Sequence, residues 1–172
     1  MVSPLKNISS TCQTCHRNSE ENLKNFVYQR QDTVLEIRNR VEKELAKTHI
    51  MAKLAWDNGA TEKEMEEVLQ LIRQAHWRWD FAAASHGGSF HATTEMLRLL
   101  GHSFDRIMQG QLKLQKILLA HGVTEIKMPD ISTKKLAQAY IGLDMPTLVA
   151  EKKKWMETTA AEWIKKSSKA GD

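Results

Sequence analysis

The chain has 172 residues, 41% hydrophobic and 27% charged, with 3 Pro, 8 Gly and 2 Cys; that is room for one well-filled domain and excludes disordered, collagen-like and disulfide-scaffold classes. No apolar run approaches the ~20 residues that cross a bilayer. The net charge of +4, from 25 basic and 21 acidic residues, is spread along the chain, whereas a nucleic-acid binder gathers Lys and Arg on one stripe, so no nucleic-acid partner is expected.

At the amino end, Val2-Ser3-Pro4-Leu5-Lys6-Asn7 has neither a basic n-region nor an apolar core, so it predicts no signal peptide. From Ser19 to about Asp57, Leu23, Val27, Val34, Ile37, Val41, Leu45 and Leu54 fall on one helical stripe. Asn18 with Glu21 offers the start signal, and Asp57-Asn58-Gly59 the stop. Such a helix runs roughly 55 Å at ~1.5 Å per residue. Thr61-Glu62-Lys63-Glu64 is a capping box opening a second helix, striped by Met65, Val68, Leu69, Ile72, Ala75 and Trp79 towards Ala83. Gly87-Gly88 should break it.

A third helix restarts after His91 on Met96, Leu99, Leu100, Phe104, Ile107, Leu114, Ile117 and Leu118, and Gly122 closes it. After a loop with Pro129, a short helix is expected from Ser132 to Tyr140. Asp144 caps the last helix, with Pro146 in its first turn and Trp155 and Trp163 on one side. Its run Lys152-Lys153-Lys154 is flanked by Glu151 and Glu157 and reads as a solvated face. Only Ser167 to Asp172 looks disordered. With no alternating Val- and Thr-rich segments, the fold class is mainly α, with long amphipathic helices. Helices this long should be unable to bury their stripes within a compact globule of 172 residues and should require a helical partner from elsewhere in the same assembly or from a second copy.

One motif carries chemistry. Cys12-Gln13-Thr14-Cys15-His16 is the c-type haem attachment sequence. The two thiols add to the two vinyl groups of haem, and the two-residue gap lets one backbone turn present both sulfurs to one porphyrin edge. The adjacent histidine then supplies an axial iron ligand. A redox dithiol would need a βαβ setting, and a structural zinc would need a second ligand pair; neither pattern accompanies the motif.

For the other axial position, the candidates are His76, His86, His91 and His102, against 8 methionines. Each of these histidines also has an ordinary packed or solvated reading. His91 stands out, since it follows the Gly87-Gly88 break and Phe90, where a side chain can project from a helix junction towards a flat apolar ligand. His49 and His121 sit among polar neighbours and should be exposed. Glu62, Glu64, Glu66 and Glu67 are explained by the dipole at a helix start, without a metal. No phosphate loop or nucleophile elbow is present.

Several stretches together resemble the C-terminal part of the pentahaem cytochrome c nitrite reductases, which reduce nitrite to ammonium. They are Ser3-Pro4-Leu5 leading into Cys12-Gln13-Thr14-Cys15-His16, and Val27-Tyr28-Gln29-Arg30-Gln31-Asp32. Ala75-His76-Trp77-Arg78-Trp79-Asp80-Phe81, Ser89-Phe90-His91 and Glu95-Met96-Leu97-Arg98-Leu99-Leu100-Gly101 follow. Asp130-Ile131-Ser132-Thr133 and Tyr140-Ile141-Gly142-Leu143-Asp144-Met145-Pro146 complete the set.

The resemblance implies that Cys12, Cys15 and His16 attach and ligate the family's last haem. It implies that His91 is the distal ligand of another haem, attached upstream, while His86 matches no family ligand. It divides the chain into an attachment segment, 1–18, and a helical haem-packing and dimerisation region, 19–172. It further implies a periplasmic homodimer, a cytochrome electron donor, and nitrite as the substrate of the full enzyme. The lysine-ligated active-site haem motif, the remaining attachment motifs and the calcium ligands all lie upstream in the family. The distal ligand of the haem on Cys12 and Cys15 does too. The chain is therefore expected to be a fragment or the downstream half of a split or mis-started gene, inactive alone and partnered by the upstream part. Two other classes stay open: a stand-alone monohaem electron carrier, and a helical structural module that never takes haem.

Overall fold

A computed structural model describes residues 3–169. Ser19 accepts a hydrogen bond from the Asn22 amide (3.3 Å) and opens α1 (Glu20–Asp57). The cap is thus Ser19 rather than Asn18, because its hydroxyl is the group within reach of the third helical amide. Gly59, at φ +87°, ends that helix in the left-handed region that favours glycine. Thr61 then opens α2 (Glu62–Ala84) with a complete capping box. Its hydroxyl accepts from the Glu64 amide (3.3 Å), while the Glu64 carboxylate accepts from the Thr61 amide (2.7 Å).

α2 stops at Ser85, before the glycine pair, where the Ser85 hydroxyl donates to the Phe81 carbonyl (2.6 Å). The pair itself starts a one-turn helix, α3 (Gly88–His91), which the sequence periodicity was too short to show. A Cβ on Gly88 would meet the Met96 sulfur at 2.8 Å and Ser85 Cβ at 3.0 Å, so glycine permits this close turn. α4 (Thr93–Ala120) follows, and Gly122 (φ +80°) closes it.

The helices α1, α2 and α4 pack together and bury one another's stripes. One apolar cluster joins Val34, Val41 and Leu45 to Ala75, Leu99, Leu100 and Ile107. A second joins Met51, Ala52 and Ala55 to Met65, Val68, Ile72, Leu114 and Leu118. A polar layer also spans α1 and α4, where the Gln111 amide donates to the Thr48 hydroxyl (3.1 Å) and the Glu44 carboxylate (3.0 Å). The long stripes therefore find their helical partners inside the chain, against the expectation that partners had to come from elsewhere. On α2, Leu71 is buried, whereas Leu69 is 38% exposed. The predicted stripe is otherwise buried at Met65, Val68, Ile72 and Ala75, with Leu71 inside in place of Leu69.

The chain divides into two compact units, Met1–Ile126 and Lys127–Asp172. The second contains α5 (Lys134–Tyr140), capped by Thr133 rather than begun at Ser132, and α6 (Met145–Trp155), capped by Asp144. A π-helical turn (Met156–Ala160) carries α6 into α7 (Ala161–Lys169), and the Trp155 and Trp163 rings meet edge to face at 5.7 Å. Residues 167–169 are thus helical, not disordered, and the rest of the predicted tail lies outside the described residues. Among the described residues there is no strand, and no helix is long and apolar enough to cross a membrane. The fold is mainly α, as predicted.

Candidate functional site

Ile8, 2% exposed, anchors the amino-terminal segment, and its carbonyl accepts from the Gln13 amide (2.9 Å). Cys12–Thr14 then forms a single 3-10 turn. The Cys12 carbonyl accepts from both the Cys15 amide (3.2 Å) and the His16 amide (2.9 Å). The Thr14 hydroxyl donates to the Thr11 carbonyl and the Thr11 hydroxyl to the Asn7 carbonyl, each at 2.6 Å. The Gln13 side-chain amide donates to the Asn18 carbonyl (3.0 Å), tying the turn to the start of α1. These bonds compress the five motif residues into one turn with both thiols free, Cys12 half-buried and Cys15 exposed.

Cys12, Cys15 and His16 line a cavity of about 510 Å³. Its apolar wall comes from the first turns of α1, through Leu23, Phe26 and Val27, and from Phe90 on α3. His91 lines the same cavity, with its ring 4.6 Å from that of Phe90. Arg30 of α1 also lines it and donates to the Phe90 carbonyl (3.0 Å), so α1 holds the turn that carries His91. The structure thus brings Cys12, Cys15, His16 and His91 to one space.

The other histidines are engaged elsewhere. His76 stacks edge to face on His49 at 5.5 Å and lies 3.6 Å from the Asp80 carboxylate. His102 bonds Arg98 (3.3 Å), and His86 lines a separate cavity. His49 keeps an exposed surface as expected, yet partial burial and then the neighbouring His76 lower its pKa. His121 departs from expectation: it is half-buried and bonds the Glu64 carboxylate (3.2 Å). Of the acidic group at the start of α2, Glu62 and Glu64 lie in the first turn, Glu64 closes the capping box and Glu67 pairs with Lys113 at 2.7 Å.

Residues 1–170 match the family described as cytochrome c552. The chain belongs to the cytochrome c552 family. Its relatives include the cytochrome c-552 of Bacteroides thetaiotaomicron, 59% identical over 98% of this chain. That of Porphyromonas gingivalis is 51% identical over 99%, and that of Maridesulfovibrio salexigens 45% identical over 98%. The matched region is 34%, 34% and 33% of those relatives, so the chain spans about a third of the length of the curated relatives it matches.

Membership in a cytochrome c552 family implies a c-type haem, and the residues of the cavity fit one. Two free thiols stand at one edge, a histidine follows them directly, and an apolar wall faces them. When bound, the haem supplies one-electron chemistry at its iron. Cys12 and Cys15 would tether it, His16 would ligate it, and Leu23, Phe26 and Val27 would keep water from its face. Sequence reasoning missed Ile8, Phe26 and Arg30 as parts of this site. Phe26 was signalled by its position three residues after Leu23, next to the motif. Arg30 lies within a stretch that carried the resemblance, but nothing in its spacing revealed a bond to a carbonyl 60 residues away.

Proposed function

We propose that the chain is the C-terminal portion of an ammonia-forming cytochrome c nitrite reductase, serving as an electron relay and a dimer contact. The observation that carries this reading is the single cavity lined by Cys12, Cys15, His16 and His91. The cytochrome c552 match over residues 1–170, and the chain's share of about a third of its relatives, support a part of a longer enzyme. In this reading an upstream histidine completes the haem on His16 and His91 completes a neighbouring haem, so neither keeps a coordination site open for substrate; this part relays electrons and the reaction takes place elsewhere. Its partners in this reading are the upstream part of the same enzyme, a second copy and a cytochrome donor. The location is periplasmic, and calcium belongs to the upstream part.

The test is to join this chain to its upstream part, express it with haem-attachment machinery in the periplasm, and follow oxidation of a reduced dye. Nitrite-dependent oxidation with ammonium as product is expected. An assembly that carries its haems but never consumes nitrite would overturn the assignment. One observation favours a second reading, a monohaem electron carrier: His91 shares its cavity with His16. A stable six-coordinate low-spin haem on the exported chain alone would select the carrier.

A further inference from the structure

A second cavity, of about 330 Å³, lies between α1 and the end of α2, away from the two thiols. Arg38 and Gln31 reach it from α1, and His86 and Ser89 from the turn after α2, with Val34 and Ala82 supplying an apolar wall. The Trp79 indole donates to the Arg38 carbonyl (3.3 Å) and fixes that turn of α1. The Arg38 Nε atom is sealed from water and has no hydrogen-bond partner. A guanidinium stays charged at every ordinary pH, and a shut-in donor without an acceptor is disfavoured strongly enough that folds usually supply one. No ion pair or side-chain hydrogen bond to Arg38 is present among the described residues, although Asp32 lines the same cavity.

We propose that this cavity is a carboxylate-binding site, with Arg38 as the fork that receives a planar monoanion. The guanidinium presents two parallel N–H groups along its Nε edge, matching the two oxygens of a carboxylate. Because Nε is shut in, binding requires a rotamer change about the Cγ–Cδ bond of Arg38, which moves Nε and its N–H into the cavity. Gln31, Ser89 and the His86 ring line the same cavity and can donate to the outer lone pairs. Val34 and Ala82 suit a short aliphatic stem, and the Asp32 charge disfavours dianions such as sulfate or hydrogen phosphate. The same chemistry comes from two sources: a free carboxylate, or a propionate arm of a haem bound to the complete protein. Only the second source rests on the proposed function.

The experiment uses the complete haem-loaded protein, Arg38→Gln and Arg38→Lys, with sodium acetate as probe and sodium chloride at equal ionic strength as control. For a free carboxylate, saturable acetate binding by calorimetry should weaken at least tenfold in Arg38→Gln, with Arg38→Lys not restoring it. For a propionate, acetate should not bind. Instead, one haem should shift to a lower midpoint potential in Arg38→Gln, with its propionate modes displaced in resonance Raman spectra and the potential partly recovered in Arg38→Lys. If Arg38→Gln fails to fold, the double variant Gln31→Ala with Ser89→Ala keeps the charge and should weaken the same readout. Folded variants with neither acetate binding nor any haem potential altered would overturn the site. Should no haem attach at all, the function reading fails, while acetate binding to the apoprotein still decides this one.

Discussion

The Cys12 carbonyl serves two amides at once, and that bifurcation sets both thiols on one short turn. On the proposed function, losing either sulfur would remove one of two haem tethers, and losing His16 would remove the ligand that follows them. Cys12→Ser and His16→Ala should therefore abolish normal haem incorporation in exported protein, whereas His49→Ala should leave it intact, as read by the haem mass increment and the Soret band. Glu64 gives a second residue-scale outcome. Bonds from the Thr61 amide and hydroxyl, then from His121, hold its carboxyl at about 2 against an ordinary 4.5. A carboxyl depressed on folding stabilises above its unfolded value, and that contribution is lost as the pH falls. In acid unfolding followed by circular dichroism, Glu64→Gln should lose less stability than the parent between pH 4.5 and about 2. At this scale the turn that carries the two thiols was legible, because the C-x-x-C-H spacing fixes both residue type and order. The polar network was not, since bonds such as Arg30 to Phe90 join residues that only the tertiary fold brings together.

Among the elements, helix ends were the most readable feature, because a cap is a local bargain between one side chain and one amide. Thr61, Gly59, Gly122 and Asp144 all act where their residue types suggested. Faces were less readable. A 3.6-residue period marks an apolar stripe but not which edge of it meets a neighbour, and Leu71 rather than Leu69 is inside. α4 allows a direct comparison of the two environments. Leu114 is fully buried, whereas Leu112, two residues earlier, is 59% exposed. Leu114→Ala should cost about 2–5 kcal/mol through lost burial and the cavity left behind. Leu112→Ala should stay within about 0.5 kcal/mol, as expected of a surface change. Urea titration of both variants checks the contrast.

For the whole molecule, the three long helices satisfy one another, so the apolar surface left over is of another kind. Trp77 is 60% exposed and Phe81 46% in the first unit, and Ile141 and Ile164 are 64% and 67% exposed in the second. Large side chains so exposed, on a chain a third as long as its relatives, are suited to contacts outside it. The isolated chain should associate or precipitate at micromolar concentration, and sedimentation velocity showing one well-behaved monomer would contradict this. Sequence periodicity placed the unmet apolar surface on the stripes because it registers amphipathicity, not which helices of the same chain close upon each other.

α1 forms the wall beside the thiols with its first turns and belongs to the far apolar cluster with its last, unbroken for 38 residues. It therefore behaves as a tie rod rather than a chain of joints. A tilt imposed at Phe26 meets no break in the helix before Ala52 and Ala55. Whatever fills the cavity therefore leans on the same element that packs the opposite end of the bundle.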